Sequence, residues 1–191
     1  MDKFKQICND IKSLKIQGAT NIAKAAIKAY KLRPSEKTKQ ILISLRPTEP
    51  ALFNVLNLAE KNSKNKILAH FQNSKNKINR YVLKIIKNNS IIFTHCHSSA
   101  VSNSLIYAKK HGKKFQVYNT ETRPLYQGRI TSLELAKAKI NVTAFVDSAM
   151  HEAIKKSNLI LLGADAILKS GVVNKIGSTA VVEIEELVAV D

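Results

Sequence analysis

His95, Cys96 and His97 stand in succession, followed at once by Ser98 and Ser99. A thiol at a helix start, in the partial positive charge of free N–H groups and beside two imidazoles, is acidified and becomes a usable base or nucleophile. The same position also suits a buried structural cysteine, the ordinary state of a lone intracellular thiol. Further along, Asp165 ends LeuLeuGlyAlaAsp at 161–165. A carboxyl group there can exchange protons with a sugar hydroxyl, or simply cap a helix or turn. Asp147-Ser148 carries the same pair of readings. Two histidines around a cysteine invite a metal, but zinc needs three or four ligands at recognisable spacing. No second Cys/His pair exists, so neither metal nor other cofactor is expected.

Anion recognition is the second chemistry. Ser98-Ser99 at a helix start and Gly18-Ala19-Thr20 before another can offer hydroxyls and free N–H groups to phosphate. Arg46, Arg123 and Lys175 fall in polar turns rather than on helix faces, and arginine suits bidentate phosphate contact. Each alone could be an ordinary surface charge. Together they favour an anionic ligand, consistent with one bearing two phosphates.

These residues need a scaffold that gathers them. Apolar residues recur at three- and four-residue spacing through Phe4, Ile7, Ile11 and Leu14, then through Ile22, Ala26 and Tyr30, which predicts helices separated at Gly18. Thr20 or Asn21 could cap the second. ArgProThrGluPro at 46–50 punctuates, helix resumes from Ala51 to about Lys61, and a longer amphipathic stretch runs to about Lys87. At Asn88-Asn89 the period changes. Short apolar runs (91–93, 115–118, 142–146, 159–162) now alternate with helical segments near 99–110, 130–139 and 148–156, and a last run, Leu187–Val190, closes the chain. Strand–helix alternation with short connections predicts an α/β fold with a parallel sheet wrapped by helices. In such a sheet ligands bind beyond the carboxyl ends of the strands, near a topological switch point. The polar segments 94–99, 119–129, 147–148 and 163–165 follow the four strands, with 174–178 shortly after, so the four strand ends converge on one rim.

Composition limits the remaining possibilities. The 191 residues carry a net charge of +17, and 19 of the 31 Lys and Arg but only 5 of the 14 Asp and Glu fall in residues 1–90. Lysines at 61–66 and 73–77 interleave with Ile67, Leu68, Phe71 and Ile78, the pattern of a solvated helix face. There is no Trp and no aromatic cluster among the basic residues, so nucleic acid is not expected as a partner. No apolar run approaches the ~20 residues of a membrane span, and the first residues lack an apolar signal core. Two cysteines are too few for a disulfide scaffold. A cytoplasmic protein is expected, and Cys8, within an amphipathic helix, is expected in its core.

ThrHisCysHisSerSerAlaVal, ThrGluThrArgProLeuTyrGlnGlyArgIleThr, ValThrAlaPheValAspSerAlaMet, LeuLeuGlyAlaAspAlaIle and AsnLysIleGlySer occur here in the order seen in one superfamily. IleGlnGlyAlaThr at 16–20 and ArgProThr at 46–48 resemble its N-terminal signatures. The chain thus resembles ribose-1,5-bisphosphate isomerases, methylthioribose-1-phosphate isomerases and the alpha, beta and delta subunits of translation initiation factor 2B. CysHisSerSer looks more like the ribose-bisphosphate enzymes than the methylthioribose ones. The resemblance implies a helical N-terminal region at 1–89 and a Rossmann-like catalytic domain at 90–191, truncated relative to the family. It implies conversion of ribose 1,5-bisphosphate to ribulose 1,5-bisphosphate, a step in an archaeal route of AMP breakdown. Cys96 and Asp165 correspond to the catalytic pair, Cys96 moving a proton from C2 to C1 and Asp165 shuttling a proton between the C1 and C2 oxygens. Gly18, Ala19, Arg46, Ser98, Ser99, Arg123, Gln127, Asn174 and Lys175 correspond to residues around the substrate. The alternatives are a non-catalytic sugar-phosphate or nucleotide binder related to the initiation-factor subunits, and methylthioribose-1-phosphate isomerase. A homo-oligomer built on a dimer is expected, because the usual strand–helix segment after AsnLysIleGlySer is missing and would leave apolar surface uncovered.

Overall fold

The computed structural model describes residues 2–16, 18–47 and 49–188. They form two compact units, Met1–Ser74 and Lys75–Asp191. No helix of the described residues is long and apolar enough to cross a membrane.

The N-terminal unit is helical. α1 (Lys3–Lys12) starts where the Asp2 carboxylate accepts the Phe4 N–H at 3.1 Å, and it buries Phe4, Ile7, Cys8 and Ile11. Burial pushes the Cys8 thiol up, as befits a core cysteine. α2 (Ala19–Leu32) packs against α1, α3 (Glu36–Leu45) and α4 (Pro50–Lys61). That central place explains why Ile22, Ala23, Ala26, Ile27, Ala29 and Tyr30 are all buried. Its N-cap is Gly18 at φ 81°, so Thr20 and Asn21 lie inside the first turn instead of capping it. Apolar spacing alone does not mark α3. It begins where Ser35 accepts the Thr38 N–H at 3.1 Å. Pro50 opens α4 at a first-turn position, where its missing N–H leaves no partner unsatisfied. α5 (Lys64–Ile85) runs through the division between the units, with Ile67 buried and Lys64, Lys66, Lys75 and Lys77 exposed.

In the C-terminal unit the short apolar runs become β1 (Ser90–Thr94), β2 (Phe115–Thr120), β3 (Asn141–Phe145) and β4 (Leu159–Ile160). They form one parallel sheet in the order β3-β2-β1-β4. Alternation sends Ile92 and Val117 to one face, where they pack with the end of α5, α6 (Ser99–Lys110) and α7 (Gln127–Lys137) through Val82, Leu105 and Leu135. Phe93 and Tyr118 point to the other face, against α8 (Met150–Lys155) and α9 (Ser178–Val188) through Ile154 and Val181. The chain steps outward from β1 to β3 over the first face, then crosses back under the second to place β4 beside β1. The switch point therefore lies between β1 and β4.

Two elements depart from expectation. Residues 166–173 form a hairpin, β5 (Ala166–Leu168) and β6 (Gly171–Val173), turned by Lys169-Ser170. The closing apolar run is not a strand. Leu187 and Val188 are the last residues of α9, and Ala189 and Val190 lie outside the described residues. The reason is the spacing of Val181, Ile184 and Val188, which places one apolar stripe along a helix, with Val181 and Ile184 in the core around α8.

Candidate active site

The carboxyl ends of β1 and β4 meet at the switch point, and each leads into a predicted reactive residue. Cys96 lies two residues beyond β1, and Asp165 follows β4 through Leu161–Ala164. A methyl group added at Gly163 would stand 2.9 Å from both Cβ and Oγ of Ser98, so the β4 loop lies directly on the N-cap of α6. The Asn174 amide oxygen is 3.7 Å from the same point. The loop carrying Asn174 and Lys175 is tied to the end of β1 by His95. Its Nε2–H donates to the Ile176 carbonyl at 2.9 Å, and its Nδ1 is hydrogen-bonded to the Thr120 hydroxyl at 2.5 Å. Gly177, at φ 97°, permits this approach, since a Cβ there would be 2.8 Å from Nε2. His95 is 3 % exposed and both ring nitrogens are satisfied, so it is a strut rather than a proton carrier.

Cys96 is half-buried, and its thiol pKa is raised, not lowered as its place before a helix predicts. Burial is the largest cause, because a thiolate loses solvation there. The His97 main-chain N–H and Lys175 act in the opposite direction, while Asp165 and Asp147 push the thiol up further. Neither imidazole contributes. His95 is engaged as above, and the His97 Nδ1 turns away to Thr131 Oγ1 at 3.0 Å. Charges on Asp165, Asp147 and Lys175 nonetheless all act on the Cys96 sulfur.

Asp147 resolves into a structural role. Its two carboxylate oxygens accept the N–H groups of Thr122 and Arg123 at 2.8 and 2.7 Å, which fixes the loop after β2 to the end of β3. Asp165, in contrast, is exposed. Among the other expected site residues, Ser98 caps α6 and Ser99 is exposed in its first turn. Asn174 donates to Ser178 Oγ at 2.8 Å, leaving its amide oxygen toward Gly163. Arg123 stands exposed on the loop that Asp147 holds, and its guanidinium bonds the Tyr126 hydroxyl. Gln127 opens α7, with its Oε1 buried and without a partner among the described residues. Gly18, Ala19 and Arg46 belong to the N-terminal unit, at the start of α2 and the end of α3. There the Arg46 Nη1 is likewise buried and unpartnered among the described residues. Thr122 and Thr131, both 1 % exposed and both bonded to the Cys96 main chain, were not singled out by residue type or spacing.

The charges around Cys96 make a testable sign prediction. Asp165→Asn removes a negative charge and lowers the pH midpoint of Cys96 alkylation. Lys175→Met removes a positive one and raises it. Iodoacetamide labelling across pH, followed at the Cys96 peptide by mass spectrometry, measures both. An unchanged midpoint in both variants would place those charges beyond about a Debye length, ~8–10 Å, from the thiol.

A doubly wound parallel sheet with a thiol and a carboxyl group at its switch point defines a Rossmann-like α/β protein. The chain belongs to the Initiation factor 2 subunit family, which it matches over residues 61–185. A ribose 1,5-bisphosphate isomerase of Methanocaldococcus jannaschii is 36 % identical over 208 residues, covering 95 % of this chain and 68 % of that protein. A methylthioribose-1-phosphate isomerase of Thermosipho africanus is 30 % identical over 217 residues, covering 92 % of this chain and 63 % of that one. The chain thus spans about two-thirds of the length of these relatives. Among solved structures, the translation initiation factor eIF-2B of Pyrococcus horikoshii OT3 shares the fold, with a TM-score of 0.87 at 23 % identity over 99 % of this chain and 76 % of that one.

Proposed function

We propose that the protein is a sugar-phosphate isomerase that converts ribose 1,5-bisphosphate to ribulose 1,5-bisphosphate by proton transfers between the substrate and the pair Cys96 and Asp165. The observation that carries this reading is that Cys96 and Asp165 follow the neighbouring strands β1 and β4, and that the Asp165 carboxylate and the Lys175 ammonium both act on the Cys96 thiol. The names of the matched isomerases support the reaction class.

In the proposed reaction Cys96 acts as the thiolate and Asp165 carries the proton to be exchanged. The C1 oxygen of the substrate carries phosphate, so a shuttle between the C1 and C2 oxygens has no place. Asp165 instead gives its proton to the ring oxygen O4 as the C1–O4 bond breaks. Cys96 takes the proton from C2, and the C–H electron pair forms the C1–C2 double bond of an enol phosphate. Asp165 then accepts the O2 proton as the C2 carbonyl forms. The double-bond pair takes the proton from Cys96 at C1, and both residues return to their starting states. Lys175 and the first-turn N–H groups of α6 stand ready for the substrate's anionic oxygens. The test is turnover of ribose 1,5-bisphosphate by the purified protein. Turnover of methylthioribose 1-phosphate instead would change the substrate, and binding without turnover of either would leave a non-catalytic sensor.

The protein is further proposed to form a homo-oligomer built on a dimer. Ile167 and Val172 face each other across the hairpin at 81 % and 63 % exposure, and a two-stranded sheet with so little cover is marginal alone. Sedimentation at micromolar concentration should give a dimer or larger species, and Ile167→Lys with Val172→Lys should dissociate it. A native monomer under those conditions rejects the assembly.

A further inference from the structure

Cys96 has φ 68° and Thr122 has φ 62°, both in the left-handed region that side chains with a Cβ rarely enter and β-branched ones least of all. Something must hold them there, and the hydrogen bonds account for it donor by donor. The Cys96 N–H donates to Thr122 Oγ1 at 2.9 Å. The single hydroxyl hydrogen of Thr122 goes to the Thr120 carbonyl at 3.3 Å, so its oxygen is free to accept. Thr122 is held in turn by the Asp147 carboxylate, which takes its N–H. On the other side, the Thr131 hydroxyl donates to the Cys96 carbonyl at 3.0 Å and accepts Nδ1–H of His97. Cys96 is therefore gripped at both its main-chain polar groups by two buried hydroxyls, one from the loop after β2 and one from α7.

We propose that Thr122 and Thr131 are positioning residues, a pair of hydroxyls that holds the Cys96 main chain in the left-handed conformation from which its thiol reaches the rim of the sheet. This rests on the reading of Cys96 as the carrier of the carbon-bound proton. Valine at either site keeps the shape of threonine but removes the hydroxyl, whereas serine keeps the hydroxyl. The next N–H along the chain, that of His97, favours the Cys96 thiolate. Release of the clamp lets Cys96 relax and removes that influence.

The experiment compares Thr122→Val, Thr122→Ser, Thr131→Val and Thr131→Ser in the full chain, each checked for folding by thermal unfolding. The valine variants should lose ~10- to 100-fold in kcat with KM for ribose 1,5-bisphosphate within about threefold of native, because a misplaced proton carrier slows chemistry more than binding. Their Cys96 alkylation profile should move to higher pH, with the rate at neutral pH down ~5-fold from loss of one hydrogen bond. Serine should restore both. Native kcat and a native profile in folded valine variants overturn the proposal. So does a kcat loss without a profile shift, and so does serine behaving like valine. The two sites are independent, so if one valine variant misfolds the other decides. If the native protein turns over no ribose 1,5-bisphosphate, the isomerase reading falls and the alkylation profiles alone judge the clamp. A shift in valine that serine reverses sustains it, and no shift rejects it.

Discussion

Cys96→Ser is expected to bind ribulose 1,5-bisphosphate as the native protein does and to lose isomerisation by ~10²- to 10⁴-fold, the usual contribution of a general acid–base group. A hydroxyl fills nearly the same volume but is a far weaker base at neutral pH than a thiolate. Asp165→Asn should lose a comparable factor, since the amide keeps the shape of the carboxyl and cannot exchange its proton. The two variants differ in an instructive way. Removing the Asp165 charge takes away one of the influences that raise the Cys96 thiol. Its thiolate fraction therefore increases while catalysis disappears. A protein with a more reactive cysteine and no turnover would show that thiolate supply alone does not limit the reaction and that Asp165 moves protons itself. Rates measured on ribose 1,5-bisphosphate for native, Cys96→Ser and Asp165→Asn decide the matter. Equal rates in native and Cys96→Ser would remove Cys96 from the chemistry.

The parallel sheet was legible because its strands are short apolar runs, each separated from the next by a helix-length polar and apolar mixture. β1, β2 and β3 fall within one or two residues of the runs in the sequence. β4 has only two paired residues where the runs alone suggest a longer strand, and beyond it the Leu161 N–H still donates to the Phe93 carbonyl at 2.9 Å. The hairpin at 166–173 was hidden for a different reason. Its strands are three residues each, too short for alternation to register, and both faces are apolar. α9 was misread because Leu187–Val190, taken alone, has no polar residue to reveal a helical period. Its stripe starts at Val181, before that window opens.

The rim was legible too, since strand ends are where a doubly wound sheet collects its ligands, and the Asp165 and Lys175 charges both act on the Cys96 thiol. The state of the thiol was not. Helix-terminal charge and neighbouring imidazoles are visible along the chain, whereas burial and two carboxylates from β3 and β4 are contributions of the fold. The partners of the Cys96 main chain, Thr122 and Thr131, lie 26 and 35 residues away. Nothing in a run of residues distinguishes a threonine that fixes a backbone from one that merely prefers a strand. Asp147 shows the same limit, as its position after β3 admits a reactive or a structural role and only its two N–H donors decide between them.

Gly128→Ala is expected to destabilise the protein by ~3–5 kcal/mol, with about 1–3 from forced overpacking and a similar amount from a disrupted buried hydrogen bond. The sign is what makes the test sharp, because Gly→Ala at an ordinary helix position gains about 1 kcal/mol in helix propensity. Gly128 is the second residue of α7 and is buried against the end of β2. A Cβ there would fall on the Thr120 carbonyl oxygen, with Thr120 C at 2.9 Å and Glu121 C at 3.0 Å. All three atoms are main chain, so no rotamer change can relieve the clash, and α7 must move away from β2. That motion pulls on the Gly128 carbonyl, which accepts the buried Asn119 side-chain N–H at 2.8 Å, and on Ser132, which bonds the other end of the same amide at 2.7 Å. At ~2–4 °C per kcal/mol for a chain of this size, Tm should fall by roughly 10 °C. Thr120 also carries the hydroxyl that binds His95, and α7 carries Thr131, so the displacement reaches the Cys96 main chain from both sides. Thermal unfolding followed by circular dichroism measures the first effect, and the Cys96 alkylation profile of the folded variant measures the second. A Tm at or above that of the native protein would mean that α7 is free to shift, and that the end of β2 does not set the place of the thiol.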